Sequence, residues 1–516
     1  MQIKILVTSD VHGYIYPTTY LKRHENRDIG FAKCASVIEN VRNESSSEDL
    51  TLVIDNGDFI QGSALVDFLV SKNNYQVKKL VETENIIAYD AAVLGNHEFN
   101  YGRKYQEKIN SHRKHPVLCA NILDENDKPY MGKAYEIFEK NGVKVAILGL
   151  TTQYIPHWEP QENIRGLKFK SAVQIAKEYV PKLKKLADIV IIAYHGGFAT
   201  DENGIAIEEL TGENEGYELS KIVGIDALIT GHQHRKIATF YNGIPVVQPG
   251  YAGAQVGLIE LEFENNIVTN KSAKLLSMKD IKPNNSVANF LEIDNRDTED
   301  WLDKPVGFLD EGFELTDVAA ARIKGHPYVD LMNYFVRMAT GVQIVASSLF
   351  NNQQPGFARE VTMRDIKANY PFANTFAVLE ITGRDLLAAL EQTATYWREE
   401  KGKVVVAFKN GRQVVPDFNY DIYGGIDYTI DVSQPEGSRI TKLCYQGHKI
   451  LPSEILKIGL SKYRAMGGGD YRMFDTSKII KESKLEISEI IIQSLAQNER
   501  IAPKKLQKNE YSVICK

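Results

Sequence analysis

The sequence predicts a chain of two or more domains, the first of which is a layered α/β fold. A chain of 516 residues is too long for a single hydrophobic core. In residues 1–282, short apolar runs of strand length alternate with segments whose apolar residues recur at helical spacing, which is typical of sheets covered by helices. The predicted strands are 3–7, 52–54, 91–94, 145–150, 189–193 and 227–229, and the predicted helices are 31–42, 171–186 and 215–223.

Two Asn-Gly pairs predict tight hairpins in the same region. Asn141-Gly142 and Asn242-Gly243 each stand between runs of apolar residues. An Asn-Gly pair favours the two-residue turn that joins antiparallel strands. Part of the sheet is therefore expected to be antiparallel or mixed.

The second half of the chain is predicted to form its own domain, residues 305–516. It follows a polar stretch, residues 283–304, which ends in an acidic, helix-compatible run, and we interpret this stretch as a helical connector between domains. Beyond it, helices are predicted at 329–338 and 383–397, and strands at 404–408, 428–432 and 455–460.

The composition and charge of the chain argue against nucleic-acid and membrane partners. Hydrophobic residues make up 43% of the chain and charged residues 25%, as in ordinary globular proteins. The net charge of −6 argues against a nucleic-acid-binding surface, and no apolar run approaches the ~18 residues of a membrane-spanning helix. The N-terminus leads straight into a predicted strand without the pattern of a signal peptide. We therefore expect a cytoplasmic protein, or an exported one if the chain has been trimmed.

The cysteines are few and scattered. Cys34, Cys119, Cys444 and Cys515 form no CxxC pair. They predict neither a disulfide framework nor a thiolate metal site, and they suit a reducing compartment.

Polar motifs follow five of the predicted strands, where α/β sheets usually place their sites. Each motif alone is a weak signal, but five of the eleven histidines fall within this ordered set. Carboxylate, imidazole and amide oxygen are the ligands of hard and intermediate divalent metals, so the set predicts a metal site. The motifs are Asp10-Val-His12, Asp55-Asn-Gly-Asp58, Gly95-Asn96-His97-Glu98, Tyr194-His195-Gly196-Gly197 and Gly231-His232-Gln233-His234.

This motif series resembles that of the calcineurin-like metallophosphoesterases, and within them the 5′-nucleotidase and 2′,3′-cyclic phosphodiesterase family. The resemblance covers both halves of the chain. It implies a four-layer α/β/β/α catalytic domain with two divalent metals, followed by an α+β domain that binds the base of a nucleotide. Because no thiolate is offered, manganese, zinc, iron or magnesium could fill the site, and manganese is favoured in a reducing cytoplasm.

The resemblance also assigns the metal ligands residue by residue. Asp10, His12 and His234 would hold one ion, and Asn96, His195 and His232 the other. Asp58 would bridge the two ions, because Gly57-Asp58 and Gly62 match the Gly-Asp-x-x-x-Gly form of the family. Asp55 is the rival carboxylate nearby.

His97 is the expected catalytic residue, and Asn100 the informative departure. Because His97 directly follows a predicted ligand, its imidazole should reach the phosphate or the leaving oxygen, which it would protonate. In the 5′-nucleotidase branch the matching histidine is paired with an aspartate three residues later, where this chain has Asn100. The run from Gly95 to Gly102 looks more like the cyclic phosphodiesterase/3′-nucleotidase branch.

In the second domain, the resemblance points to an aromatic sandwich around the nucleobase. Phe418 and Tyr463 are the expected stacking pair, with Asp470 and Asn419 as further substrate-binding residues. Tyr423 is a rival for stacking. Asn351, Asn352 and Asn374 lie where family members contact ribose or phosphate.

These inferences predict a dimetal hydrolase of nucleotide phosphate esters, most simply a 2′,3′-cyclic nucleotide 2′-phosphodiesterase with 3′-nucleotidase activity. The alternatives are a 5′-nucleotidase or nucleotide-sugar hydrolase, a catalytically silent nucleotide-binding protein, and a metal-dependent nuclease, which the acidic charge balance disfavours. The expected partner is a small-molecule nucleotide, without nucleic acid or membrane. The preferred base and the oligomeric state are left open.

Overall fold

The computed structural model describes residues 1–72, 75–370, 374–409, 412–497, 501–508 and 510–516. These residues divide into two compact units, Met1–Asp300 and Trp301–Lys516. The stretch 283–304 contains the helices Asn285–Phe290 and Glu292–Leu302. The limits of the connector predicted there remain a prediction.

The first unit contains the strands and helices that the apolar periodicity predicts, together with shorter ones. Its strands are β1 Gln2–Thr8, β2 Leu50–Asp55, β3 Ala91–Val93, β4 Val117–Leu118, β5 Ile122–Leu123, β6 Tyr135–Lys140, β7 Val143–Thr151, β8 Lys168–Phe169, β9 Ile189–His195, β10 Ala227–Ile229, β11 Lys236–Tyr241, β12 Ile244–Pro249, β13 Gln255–Glu264 and β14 Ile267–Ser277. Its helices are α1 Phe31–Glu44, α2 Ala64–Ser71, α3 Lys78–Ile87, α4 Arg103–Asn110, α5 Ala172–Leu183, α6 Gly216–Ser220, α7 Asn285–Phe290 and α8 Glu292–Leu302, the last two residues of which belong to the second unit.

Two mixed six-stranded sheets form the centre of the described part of this unit. Their strand orders are β14-β13-β1-β2-β3-β4 and β11-β12-β10-β9-β7-β6. In the first sheet, β1 to β4 run parallel and β13 pairs antiparallel with β1. In the second, β7, β9, β10 and β12 run parallel, with antiparallel strands at both edges. Parallel strands that are buried on both faces explain the nearly continuous apolar runs of the sequence.

The two sheets face each other across a shared core, and helices cover the outer side. Ile3 and Val7 of β1 join Ile189 and Ile191 of β9 in one buried cluster. The alternate residues of β9 pack instead against α5 on the other face. On the first sheet, α1 contacts β13. The predicted α/β/β/α layering is confirmed.

Both predicted hairpins occur. Asn141 and Gly142 have φ values of 51° and 80°, and they join β6 to β7 in a two-residue turn. Asn242 and Gly243, with φ of 48° and 82°, join β11 to β12 in the same way. Left-handed conformation at both central residues is the requirement that Asn-Gly meets at low cost.

The second unit is an α+β domain, as the resemblance implies. Its strands are β15 Pro305–Phe308, β16 Phe313–Glu314, β17 Ile344–Ser348, β18 Gly356–Phe357, β19 Glu360–Thr362, β20 Phe376–Thr382, β21 Trp397–Glu400, β22 Lys403–Val406, β23 Phe408–Lys409, β24 Arg412–Gln413, β25 Asp421–Gly424, β26 Asp427–Asp431, β27 Ile440–Tyr445, β28 His448–Lys449, β29 Ile455–Ser461, β30 Ile479–Glu482 and β31 Glu510–Ile514. Its helices are α9 Val318–Lys324, α10 Pro327–Thr340, α11 Met363–Asn369, α12 Gly383–Ala394, α13 Lys462–Ala465 and α14 Ile487–Ala496.

In the described residues of this unit, the two largest sheets have the strand orders β25-β17-β29-β20-β30 and β28-β27-β26-β31. One buried cluster unites residues of both sheets with α10, α12 and α14. The amphipathic α10 packs on β17, which fixes the strand end where a cavity opens.

Across the residues that the structure describes, we find no helix with the length and apolar character needed to cross a bilayer. The cellular location remains a prediction.

Candidate metal centre

The loops that follow five parallel strands bring all seven predicted ligands to one place. In the first sheet, Asp10 and His12 follow β1, Asp58 follows β2, and Asn96 follows β3. In the second sheet, His195 is the last residue of β9, and His232 and His234 follow β10. Neighbouring parallel strands end at the same edge of a sheet, so their loops meet there. The role of these side chains as metal ligands remains a prediction.

Asp10, His12 and His234 form the first cluster. Each offers one ligand atom, and these atoms lie within 4.8 Å of one another. The Nε2 atoms of His12 and His234 are 3.1 Å apart, and His234 Nε2 is 3.6 Å from Asp10 Oδ1. Asp10 is fully buried, whereas His234 is partly exposed. The cluster is thus open to an approaching ligand on the side of His234.

Asp58, His195 and His232 form the second cluster, within the same 4.8 Å limit. The Oδ1 atom of Asn96 lies 3.2 Å from His195 Nε2 and 2.8 Å from His232 Nδ1. The Oδ2 atom of Asp58 is 3.2 Å from His195 Nε2. The amide oxygen of Asn96 therefore lies beside this cluster, and its role as a ligand there remains a prediction from the resemblance.

Asp58 lies between the two clusters. Its Oδ2 atom, which is close to His195, is also 3.7 Å from Nε2 of His12 in the first cluster. The rival Asp55 is turned elsewhere, because its Oδ2 atom pairs with Arg113 at 3.0 Å. Of the two carboxylates, Asp58 is thus the one that lies near both clusters.

The donor set of the first cluster fits a cation. Nδ1 of His12 lies 2.7 Å from the carbonyl oxygen of Gln61, which can only accept, so the proton of the neutral ring is on Nδ1. Nε2 then presents a lone pair toward the ring nitrogen of His234. Burial lowers the pKa of His12 to about 3, although Asp58 opposes this, so the ring is neutral.

In the second cluster, one imidazole nitrogen faces two oxygens. Nδ1 of His195 donates to the carbonyl oxygen of Asn56 at 2.7 Å, so its Nε2 atom is the one that faces the oxygens of Asn96 and Asp58. Burial lowers the pKa of His195, but the Asp58 carboxylate outweighs it and raises the pKa to about 10. A proton or a metal ion must supply positive charge at this point.

The backbone at these positions is unusual. Asp10, His12, Asp58, His232 and His234 have φ between 51° and 70°, the left-handed region that residues other than glycine rarely adopt. Such conformations cost of order 1–3 kcal/mol each and persist where the surroundings fix them. They turn side chains from successive loops inward toward a common point.

Sequence reasoning missed the groups that hold the ligands in place. Glu98, which is buried, accepts hydrogen bonds from the backbone N–H groups of Asp58, Phe59 and Gly95 at 2.6–2.9 Å, so it ties two ligand loops together. Its place in the Gly95–Glu98 motif was a usable signal. Glu213 accepts from Nε2 of His232 at 2.9 Å, which leaves Nδ1 free as a ligand. No local motif marks Glu213.

Two aromatic rings that sequence reasoning also missed flank the centre. The ring of Tyr251 lies 4.5 Å from that of His234, and the ring of Trp158 lies 5.4 Å from that of His232. Both rings are partly exposed. They form apolar walls beside the clusters.

His97 stands beside the first cluster, with its ring 5.2 Å from that of His12. Its backbone N–H donates to Asp58 Oδ1 at 2.8 Å. Its Nδ1 atom lies 2.7 Å from Oδ1 of Asn100, and the Nδ2 atom of Asn100 donates to Glu159 at 2.8 Å. His97 and Asn100 are therefore in contact, at the two positions that the resemblance pairs, and the carboxylate of Glu159 lies on the far side of the Asn100 amide.

In the second unit, the predicted stacking residues line one cavity. Phe418 and Tyr463, both partly exposed, border a cavity of about 200 Å³ together with Asn374. The rival Tyr423 is fully buried in β25 and cannot offer a ring face. The size and the exposed rings suit a planar group.

The other predicted contacts are placed less directly. Asn419 is buried, and its Oδ1 atom accepts from Arg464, so it supports the cavity wall. Asp470 is exposed at a left-handed turn (φ 65°) and lies outside the described residues that line the cavity. The side-chain oxygens of Asn351 and Asn352 accept from the Gln353 backbone and from Arg322, respectively.

Comparison with known proteins agrees with this arrangement. Residues 3–236 match the family model described as calcineurin-like phosphoesterase, and residues 305–476 match the 5'-nucleotidase C-terminal domain. A Staphylococcus aureus protein solved in complex with alpha-ketoglutarate, whose assignment as a 5'-nucleotidase is provisional, is 37% identical, with a TM-score of 0.89 and 100% of both chains covered.

Two curated bacterial relatives extend the comparison. The chain is 26% identical to the 2',3'-cyclic-nucleotide 2'-phosphodiesterase/3'-nucleotidase of Salmonella typhimurium, over 91% of this chain and 82% of that protein. It is also 26% identical to the trifunctional nucleotide phosphoesterase protein YfkN of Bacillus subtilis, over 98% of this chain but 38% of that protein. From the fold, the two clusters and these matches together, the chain belongs to the calcineurin-like phosphoesterases that carry a 5'-nucleotidase C-terminal domain.

Proposed function

We propose that this protein is a dimetal hydrolase of nucleotide phosphate esters. The observation that supports this most is the convergence of imidazole lone pairs and carboxylate oxygens in two clusters that meet at Asp58. Without a metal ion, a proton on His195 must compensate the buried Asp58 carboxylate, which raises the pKa of His195 to about 10, so the site calls for positive charge at this point.

In this proposal, Asp10, His12 and His234 would hold one ion, Asn96, His195 and His232 would hold the other, and Asp58 would be shared between them. Two divalent ions would polarise the phosphoryl oxygens and lower the pKa of an attacking water molecule. Nitrogen and oxygen ligands suit manganese, zinc, iron and magnesium alike, and manganese is our first choice for a reducing compartment.

His97 is proposed to protonate the leaving oxygen. Its Nδ1 atom is engaged by Asn100, so Nε2 is the atom available for proton transfer. Glu98 and Glu213 keep the ligand loops and His232 in position without contacting the substrate. The nucleobase is proposed to stack between Phe418 and Tyr463, where the aromatic faces accept any base.

The preferred substrates are proposed to be 2′,3′-cyclic and 3′-nucleotides. The presence of Asn100 beside His97 supports this branch, as does the name of the Salmonella relative, whose sequence aligns over most of both chains. The alternative is hydrolysis of 5′-nucleotides or nucleotide sugars, which the provisional name of the Staphylococcus protein favours.

A substrate panel tests the proposal. Metal-stripped protein restored with Mn²⁺ is incubated with 2′,3′-cyclic AMP, 3′-AMP, 5′-AMP, UDP-glucose and bis-p-nitrophenyl phosphate. Products are resolved by chromatography, because opening a cyclic diester releases no phosphate. Preference for the cyclic and 3′ substrates is expected. Preference for 5′-AMP or UDP-glucose would assign the chain to the alternative, and no turnover with any metal would refute the enzymatic proposal.

A further inference from the structure

A continuous chain of side-chain hydrogen bonds runs from His97 to a buried carboxylate. Nδ1 of His97 and Oδ1 of Asn100 are 2.7 Å apart, and Nδ2 of Asn100 donates to Oε2 of Glu159 at 2.8 Å. The second oxygen of Glu159 accepts from Nδ2 of Asn163 at 2.5 Å. Glu159 is only 8% exposed. Both of its oxygens are therefore used as acceptors, away from bulk water.

The direction of donation along these hydrogen bonds is set by Glu159. Burial raises the pKa of Glu159, and hydrogen bonds from Asn163 and Asn100 oppose this by stabilising its charged form. The charged carboxylate can only accept, so it requires the amino group of Asn100 to face it. The amide oxygen of Asn100 must then face His97, and an oxygen acceptor at that position requires a hydrogen on Nδ1. The position of the ring proton thus follows from a carboxylate 62 residues away in sequence, which His97 does not touch.

We propose that Glu159 is a positioning residue that fixes the Asn100 amide, and through it the proton on Nδ1 of His97. This inference rests on the proposed function, because it concerns how His97 serves that reaction. The oxygen of a water molecule bonds to phosphorus as the bond from phosphorus to the ribose oxygen breaks, and the proton lost by the water passes to solvent. The electron pair of the broken bond goes to the ribose oxygen, which takes the Nε2 proton of a His97 ring that carries a proton on both nitrogens. The ring that remains carries its proton on Nδ1, where Asn100 accepts it.

A flipped amide would oppose this transfer. If the amino group of Asn100 faced His97, two hydrogen-bearing groups would meet whenever Nδ1 carried a proton. The neutral ring would then hold its proton on Nε2, and the product of proton transfer would be disfavoured. The carboxylate of Glu159 excludes this arrangement, since a flipped Asn100 would place two oxygens against each other.

Glu159→Gln tests the inference directly. The amide oxygen of the introduced glutamine is expected to accept from Asn163, as Glu159 does. Its amino group then faces Asn100, and the side-chain amide of Asn100 must rotate so that its oxygen can accept. The value of kcat for 2′,3′-cyclic AMP is expected to fall at least about tenfold, because general acid catalysis contributes ~10²–10⁴-fold. Hydrolysis of bis-p-nitrophenyl phosphate should be nearly unchanged, since p-nitrophenolate leaves as a stable anion without protonation. Glu162→Gln, an exposed neighbour, is the matched control.

A second substitution restores the polarity. In the double variant Asn100→Asp with Glu159→Gln, the introduced aspartate accepts from both sides, from Nδ1 of His97 and from the introduced glutamine. This double variant should recover kcat to within a few-fold of the original protein. No loss in Glu159→Gln, an equal loss with both substrates, or no recovery in the double variant would overturn the inference.

The proton position can also be read without turnover. Long-range ¹H–¹⁵N spectra of histidine-labelled, metal-free protein distinguish the two forms of the ring, with His97→Ala identifying the signals. Nδ1–H is expected in the original protein and Nε2–H in Glu159→Gln. Nε2–H in the original protein would overturn the inference. Because this measurement needs no activity, it separates failure of the inference from failure of the proposed function.

Discussion

Replacing Glu84 by glutamine should remove a pH-dependent part of the stability of the first unit. Arg113 Nη1 lies 3.0 Å from Asp55 and 3.1 Å from Glu84, and all three side chains are buried. His115 is 3.2 Å from Glu84, but burial, followed by the charge of Arg113, lowers the pKa of His115 to about 3, so its ring is neutral. Two carboxyl groups thus share one cation, and one of them retains a proton.

The magnitude follows from the pKa of Glu84. Burial raises this pKa from 4.5 to about 7, against the opposing effect of Arg113. The folded protein then keeps a proton that the unfolded chain releases above pH 4.5. The stability from this group is fully present below pH 4.5 and is lost as the pH rises through about 7. The loss amounts to about 3 kcal/mol, because one pKa unit corresponds to about 1.4 kcal/mol.

Urea unfolding of metal-free protein at about pH 5 and about pH 8 measures this difference. Asp55, whose pKa burial and the charge of Glu84 raise to about 7, is present in both proteins. Between the two pH values, the original protein should therefore lose most of ~3 kcal/mol of stability more than Glu84→Gln does, because the glutamine at position 84 has no proton to release. Glu82→Gln on the same helix is the control, since Glu82 is half-exposed and its pair with His112 contributes at most ~1 kcal/mol. Parallel losses of stability in the original protein and in Glu84→Gln would refute the reasoning.

Three further predictions concern the site. Asp58→Asn should reduce bound metal from two ions per chain to one or fewer, as measured by elemental analysis. Turnover should fall more than ~100-fold, since even changes to residues that only hydrogen-bond to metal ligands cost ~10–100-fold. Two retained ions would contradict the bridging role. Phe418→Ala and Tyr463→Ala should each raise KM for nucleotides by ~5–150-fold, since stacking contributes ~1–3 kcal/mol, and leave KM for bis-p-nitrophenyl phosphate unchanged; equal effects on both substrates would argue against stacking. Gly95→Ala would place a Cβ 2.2 Å from Asp58 Oδ1. The free energy of unfolding should therefore fall by ~1–3 kcal/mol, together with the affinity for metal. Unchanged metal binding would show that the loop can shift to accommodate the methyl group.

The sequence sufficed for the parts of the fold and site that are encoded locally. Strand-length apolar runs predicted the buried parallel strands, and Asn141-Gly142 predicted its turn, because each depends on neighbouring residues. Asp58 could be preferred over Asp55 only through the family form of its motif. The structure supplies the physical reason, since Arg113, which is distant in sequence, takes Asp55 away from the centre.

Contacts between distant segments could not be predicted in this way. Glu159 reaches Asn100, and Glu213 reaches His232, only because loops from different strands are brought together, and neither glutamate stands in a recognisable motif. For the same reason the sequence could not tell that Tyr423 is enclosed in the core while Tyr463 borders a cavity. Register and burial decide these cases, and both depend on the whole sheet.

The left-handed backbone at the ligand positions has a consequence for mutational tolerance. Asp10, His12, Asp58, His232 and His234 occupy conformations in which a β-branched side chain is sterically disfavoured, whereas glycine and asparagine fit readily. A library selected for folded protein and one selected for hydrolysis would therefore diverge at these five codons. The first would enrich glycine, which relieves the backbone, and the second would keep the native residues despite it. Positions at which the two selections favour different residues are those where catalysis is retained at a cost in stability.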